Sequence, residues 1–185
     1  MIVMRQLRSL VSPVAALLLL CSPSIFPQSD ASADKRTAEE SIREAVVRYQ
    51  MEGWYRGGDQ SEKNAKTATE RAIAKEMNFK FFFVSVNGKD PTDAFIHRLR
   101  DIPRIIKKVS ASESSKQWRF AVVDKSTRQR GIVFRANEIR WLDKDSVEVE
   151  GGYFCDGLCG LIATYKLHRT KGEWVVTDSV VRRIS

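Results

Sequence analysis

Between Gly131 and Ile184 the apolar residues recur at every second position, which is the period of a strand with one face on a core. The stretch reads as three long antiparallel strands joined by two short turns. In the first, Gly131 to Leu142, the residues Ile132, Phe134 and Ala136 share one parity while Ile139 and Trp141 take the other. A strand cannot change faces without an extra residue, so a β-bulge is expected near Asn137 and Glu138, where the sheet would bend. Val147, Glu148, Val149 and Glu150 alternate apolar and charged side chains, as a half-exposed antiparallel strand does. Gly151 and Gly152 follow in mid-strand, where two missing side chains mark a second bend or a close backbone approach. Leu161, Ala163, Tyr165 and Leu167 then share a face, and Thr170 to Glu173 form a turn with Gly172 available for positive φ. Trp174, Val175 and Val176 open the last strand, and Trp141 and Trp174 are expected in or beside one sheet core.

Upstream the period changes to that of a helix. Thr37, Ala38, Glu39 and Glu40 match a capping box, and Ile42, Ala45, Val46 and Tyr49 make one apolar face. That face is expected on the concave side of the bent sheet, with Arg43, Glu44 and Arg48 in water. Gly53, Gly57 and Gly58 are expected to end the helix and open a flexible loop carrying Trp54 and Tyr55. Glu62 to Met77 reads as a further helix with a thin stripe of Ala65, Ala68, Ala72 and Ile73. Lys80 to Val86 is a continuous apolar run that predicts a strand buried on both faces. Asp90 followed by Pro91 predicts the start of a short helix carrying Phe95, Leu99 and Ile102, which Pro103 stops. Ile105 to Ser110 and Trp118 to Val123 are further strands, the second entering Gly131 through a hairpin at Lys125 to Arg130. The predicted class is α+β, with N-terminal helices on a strongly curved, mostly antiparallel sheet, a cone-like roll that ends in a long β-meander.

The chain starts with Arg5 and Arg8 ahead of an apolar run from Val11 to Cys21. That run is about 11 residues, short of the roughly 20 that span a bilayer, so residues 1–24 read as a secretory signal peptide. Cleavage is placed within residues 21–33, after Ser24 in preference to Ala33. Leu18, Leu19, Leu20 and Cys21 give the alternative of a lipoprotein box with Cys21 lipidated, although a small residue is wanted where Leu20 stands. The expected location is therefore periplasmic or secreted, with a lipid-anchored form as the alternative. Residues 25–36 are rich in Ser, Pro, Ala and Asp and are expected to tether one domain spanning 37–185.

Charge and chemistry narrow this less. The formal net charge of +8 favours polyanions at long range, but no nucleic-acid motif accompanies it, so specific nucleic-acid binding is not expected. His97 and His168 sit in no metal or nucleophile pattern, and no P-loop, G-x-S-x-G or H-E-x-x-H occurs. No cofactor or metal is expected. Cys155 and Cys159 bracket a turn at Gly157, which in an exported protein gives either a local disulfide or two reduced thiols. Trp54 and Tyr55 are candidate binding aromatics, or rings folded back on the core edge.

In the order of its elements the chain resembles the cystatin-like α+β roll of the nuclear-transport-factor-2-like superfamily. Val147 to Phe154 (VEVEGGYF), Gly172 to Val176 (GEWVV) and the ending Ile184 and Ser185 are similar to a group of uncharacterised bacterial exported proteins with such a roll. The resemblance covers Val122 to Ser185 and the Ile42 to Gln50 helix. It implies a cone-shaped sheet wrapped on a helix, and it leaves function open, because the superfamily holds isomerases, dehydratases and binding modules. Its enzymes often use an Asp as base within the cone, which makes Asp156 the first carboxylate to consider, with Tyr153 beside it as an acid or base. The expected function is a non-enzymatic exported binding or interaction module for a small hydrophobic ligand or a protein partner. The alternative is a small-molecule lyase, isomerase or hydrolase that uses the cone as its pocket. Membrane contact is expected only through the signal segment or a lipidated Cys21.

Overall fold

A computed structural model describes residues 29–116 and 120–185. The signal segment, Cys21 and the Ser24 cleavage site lie outside the described residues, as does Trp118. Helices α1 (Ser29–Asn64) and α2 (Ala68–Met77) precede strand β1 (Phe81–Val86), and α3 (Asp93–Arg98) leads to β2 (Ile105–Lys108). After them come β3 (Ser112–Ser115), β4 (Ala121–Asp124), β5 (Gly131–Trp141), β6 (Ser146–Asp156), β7 (Cys159–Thr170) and β8 (Glu173–Ile184). Six strands form one sheet in the order β2-β1-β5-β6-β7-β8, and β3 and β4 form a separate ribbon. The class is α+β, as expected. The meander from Gly131 holds four strands rather than three, because the chain also reverses between Asp156 and Cys159. Strand β1, buried along most of its length, runs parallel to both neighbours, while β5 to β8 are antiparallel.

The sheet bends along one line. Pairing of β5 with β6 shifts between Ala136 and Ile139, which puts the bulge at Asn137 and Glu138 where the parity change predicted it. Beside it, Gly151 stands opposite Ala136 and Gly152 opposite Arg135. At the same level of β7 the partners are Ala163 and Ile162, and the register with β8 shifts between those two residues. Bulge, double glycine and second shift thus form a crease across four strands. Gly152 has φ 150, and a Cβ there would fall on the Leu161 carbonyl oxygen. A Cβ on Gly151 would stand 2.6 Å from the Arg135 carbonyl oxygen. Only residues without side chains let the backbones approach this closely.

Helix α1 lies on the concave side of the crease. Ile42, Val46, Val47 and Met51 are buried in a core shared with Phe82, Ile132, Phe134, Val147, Val149 and Leu167. Two side chains of α1 also reach the strand backbone at the bulge. Gln50 Nε2 donates to the Arg135 carbonyl at 3.0 Å, and Arg43 Nε donates to the Asn137 carbonyl at 3.3 Å. The bulge loosens the ladder and the helix satisfies the carbonyls beside it.

The helix boundaries differ from expectation. Residues 29–36, expected as a tether, are the first turns of α1, and the Thr37 hydroxyl donates to the Ala33 carbonyl at 3.0 Å inside the helix instead of capping it. Gly53, Gly57 and Gly58 do not end the helix, because Met51, Trp54 and Tyr55 around them pack on the core. Packing of that kind offsets the roughly 1 kcal/mol that each helical glycine costs. The break comes at residues 65–67, where Thr67 and Glu70 make a capping box for α2. The alanine stripe is exposed or partly so, and in α2 only Ala74 is buried. The apolar face of α1 is rotated toward Val47, Gln50 and Met51, which leaves Tyr49 half exposed.

Arg48 binds Glu44 and Asp101, and Arg98 binds Glu44 and Glu40, so these charges clasp α3 to α1 rather than standing free in water. Thr92, not Asp90, caps α3, and the Asp90 carboxylate accepts from the Ser110 N–H at 2.8 Å. Strand β4 pairs with β3 and is joined to the β5 entry by a Val123–Arg130 bridge, and its Val122 packs against Val133 of β5. Trp141 and Trp174 do meet, edge to face at 5.7 Å, but Trp141 is 36% exposed, so the pair rims the core and does not fill it.

Asp124 is the one buried acid of the described residues. Its carboxylate accepts from Lys107 Nζ at 2.6 Å, from the Ser126 hydroxyl at 2.6 Å, and from the N–H and hydroxyl of Thr127 at 3.0 and 2.9 Å. Burial alone would raise its pKa, but these donors outweigh burial and hold the group well below the usual carboxylate range. Asp124 therefore contributes stability above the unfolded pKa of about 4, and that contribution is lost as the pH falls through the depressed folded value. Urea midpoints measured from pH 7 down to pH 3 should fall less steeply for Asp124→Asn than for the wild type, from a lower starting point. Glycine replacements should split in sign. Gly152→Ala should destabilise by more than about 3 kcal/mol. Gly57→Ala, with nothing within 4 Å of the added carbon, should stabilise by about 0.5 to 1 kcal/mol in the same denaturation assay.

Candidate functional site

Helical spacing puts Tyr49, Gly53, Gly57 and Ser61 on one line of α1, with Gln50, Trp54 and Gly58 on the next. Both lines face the concave side of the sheet, where register sets Leu161 opposite Tyr153, Ala163 opposite Val181, and Tyr165 opposite Ser179. Along these lines the side chains are small on both sides, Gly53, Gly57, Gly58 and Ser61 on the helix and Ala163 and Ser179 on the sheet. A cavity of about 720 Å³ remains between them, and Ala74 and Met77 of α2 close part of it.

Aromatic rings frame this space. Trp54 meets Tyr153 edge to face at 5.0 Å and Phe79 at 5.6 Å, and Tyr49 meets Tyr165 edge to face at 5.9 Å. Burial pushes the Tyr165 phenol up, helped by the neighbouring Tyr49 and Tyr153 hydroxyls, and burial raises Tyr153 as well. Both phenols are therefore neutral at physiological pH. Gln50 is buried, and the Arg135 carbonyl fixes its amide, because the opposite orientation would set two acceptors against each other. Its Oε1 is left buried with no partner among the described residues. Glu52 contributes the carboxylate in the wall, and Arg56 pairs with it one turn further along α1.

Of the sequence candidates, Trp54 and Tyr153 are in the cavity wall. Tyr55 is not; its ring faces the Arg104 guanidinium at 5.9 Å. Asp156 lies outside the wall, at the tip of the β6–β7 hairpin. Its Oδ2 accepts from Arg130 at 2.7 Å and its Oδ1 from the Leu158 N–H at 2.9 Å. The same Arg130 reaches Glu76 of α2 at 2.7 Å and lies over the Phe79 ring at 5.4 Å. Asp156 thus belongs to a tie between hairpin and α2, and the cavity does not bring it together with Tyr153. His97 sits beside Arg100 and His168 beside Ser146, both on the exposed surface. Among the described residues no group of three or more His, Cys, Asp or Glu could hold a metal ion, and no helix is long and apolar enough to cross a membrane. Sequence reasoning missed Gln50, Tyr49 and Tyr165 as wall residues. The spacing of Gly53 and Gly57 one turn apart was the available signal, and it was masked by the use of glycine as a helix stop.

No protein-family model and no curated protein matches this sequence. Among solved structures, the chain is similar to an NTF-2 like protein of unknown function from Shewanella oneidensis MR-1. The two share 14% identity with a TM-score of 0.31, over 78% of this chain and 98% of that one.

Cys155 is buried and Cys159 partly so, with Cα atoms 5.3 Å apart, within bridging range. The hairpin reversal brings them together where a straight strand would hold them about 13 Å apart. In protein purified without reductant, Cys155 and Cys159 should take up alkylating reagent only after reduction, as read by mass spectrometry. Uptake before reduction would show two thiols.

Proposed function

We propose that this chain is an exported binding module that holds a small, largely apolar molecule in the cavity between α1, α2 and the concave face of β6 to β8. The single observation that carries the reading is the cavity itself. Its volume of about 720 Å³ lies within the roughly 300–1,000 Å³ of small-molecule sites, and its wall is mostly aromatic and aliphatic. A cone filled by its own side chains would argue for a purely structural or protein-binding role.

The alternative of a lyase, isomerase or hydrolase needs a proton acceptor against the substrate. In the wall, the phenols of Tyr153 and Tyr165 have pKa values moved upward, which makes them poor acids at neutral pH and leaves no phenolate to act as base. Asp156 is held by Arg130 away from the cavity, and Glu52, the carboxylate of the wall, is paired with Arg56. Binding without chemistry is the simpler use of this site. Export is supported by the basic and apolar N-terminus, and the cysteine pair at bridging distance is compatible with it.

The test is titration with the neutral dye N-phenyl-1-naphthylamine, followed by its fluorescence and by energy transfer from Trp54. Wild-type protein should bind with a saturable signal. The double variant Gly53→Leu/Gly57→Leu, which fills the cavity from the helix side with good helix formers, should lose at least tenfold in affinity while keeping its far-UV circular dichroism. Equal binding by the filled variant would place the dye elsewhere and overturn the reading.

A further inference from the structure

The convex side of the sheet carries a cavity of its own, a cleft of about 710 Å³ between the β3–β4 ribbon and the crease. The parity that sends Ile132, Phe134 and Ala136 toward α1 sends Val133, Arg135 and Asn137 to this side. Val133 packs with Phe81, Phe83, Val122 and Phe154 in a small core under the ribbon. At the next position of the same face that packing stops, because register sets Arg135 between Ser85 of β1 and Gly152 of β6. Gly152 has no side chain to fill the place beside Arg135. The glycine that lets the sheet crease therefore also opens the cleft.

Its wall holds polar groups that the fold leaves unused. Ser85 interrupts the apolar run of β1 and is only 3% exposed, yet among the described residues nothing bonds to its hydroxyl. A buried hydroxyl of this kind costs free energy until something entering the cleft meets it. The Arg135 guanidinium lies over the Phe154 ring at 5.9 Å and has no ion pair among the described residues. A guanidinium resting on an aromatic ring keeps its N–H fork for a planar anion, which a carboxylate fits through two parallel bonds. Glu138 and Glu150 line the same cleft without an ion pair among the described residues, and Glu150 receives only Asn137 Nδ2, at 3.4 Å. Glu113, on the ribbon side, is already taken by Arg128.

We propose that this cleft binds a short peptide by both of its ends, the carboxylate on Arg135 and Ser85 and the ammonium at Glu138 and Glu150. A simple anion would face the two glutamates, and a simple cation would leave Arg135 without a partner. A zwitterion satisfies both. The spacing sets its length: on β6, Glu150 and Phe154 lie on opposite sides of Gly152, so the charges of the cleft are about 7 to 13 Å apart along the strand. An extended peptide of about two to four residues covers that span, and the adjacent charges of a single α-amino acid do not. The site shares no wall residue with the apolar cavity under α1.

Titration with trialanine, followed by backbone amide chemical shifts in NMR, tests this. Wild type should bind with a dissociation constant of about 1 mM or below, and trialanine amide and N-acetyl-trialanine should each bind about tenfold more weakly. Arg135→Gln should weaken trialanine by about tenfold and leave the amide form unchanged, and Glu138→Gln/Glu150→Gln should do the same with the N-acetyl form unchanged. The capped peptides on wild type carry the test if a variant fails to fold by circular dichroism. Gly53→Leu/Gly57→Leu should bind trialanine as wild type does, and a loss there would put the peptide in the other cavity and overturn the proposal. No saturable binding up to about 10 mM, or equal affinity for free and capped peptides, would overturn it as well.

Discussion

The bend of the sheet depends on one steric constraint: at Gly151 and Gly152 the backbone of β6 comes so near its neighbours that no Cβ fits. The bulge on β5 and the register shift on β7 and β8 lie at the same level, so the curvature is concentrated in a line rather than spread over the strands. A crease is a cheap way to fold a sheet, because it localises the loss of ladder hydrogen bonds where another element can replace them. Here α1 does so through Gln50 and Arg43. Remove the crease and the helix loses both its concave seat and its two polar anchors.

The cavity follows from the same geometry. Past Met51 the helix continues along the curved sheet, but apart from Trp54 its residues on the facing lines are glycine and serine, so packing thins while the helix goes on. Glycine in mid-helix is normally a loss of stability without return. Its occurrence three times along the cavity wall ties the instability to the space it leaves, the usual relation between a functional site and the stability forgone there.

Much of the sheet was legible. The parity change in β5 could only mean a bulge, and the unbroken apolar run of β1 could only mean burial on both faces, so local pattern sufficed for both. The shared face of Leu161, Ala163, Tyr165 and Leu167 was likewise a matter of period two. Helix ends were less legible, because Gly53 and Thr37 carry stop and start propensities that tertiary packing overrode. The cap of α3 moved from Asp90 to Thr92 for a related reason: both are good caps, and the Ser110 N–H claimed the aspartate. Of the cavity little beyond the Gly53–Gly57 spacing was legible, since its walls come from segments up to 132 positions apart, from Tyr49 to Val181, and its main determinant is missing side chains. Asp156 illustrates the converse. It was singled out because enzymes of the resembled superfamily often use an Asp within the cone, but its partner Arg130, 26 positions away, holds it at the hairpin tip.

Arg130 joins the hairpin tip, α2 and the Phe79 ring at one point, and α2 has little else to hold it, with Ala74 alone buried and Asn78 bonded to Asp59 and Glu62 of α1. Segments with so few buried contacts open at a small fraction of the free energy of global unfolding. Since α2 covers part of the cavity, undocking of this ten-residue helix would widen the way into it. For the proposed ligand, residence time would then depend on a surface ion pair and on ionic strength, while affinity would depend on the apolar wall. The two quantities would be set by different residues and could vary independently.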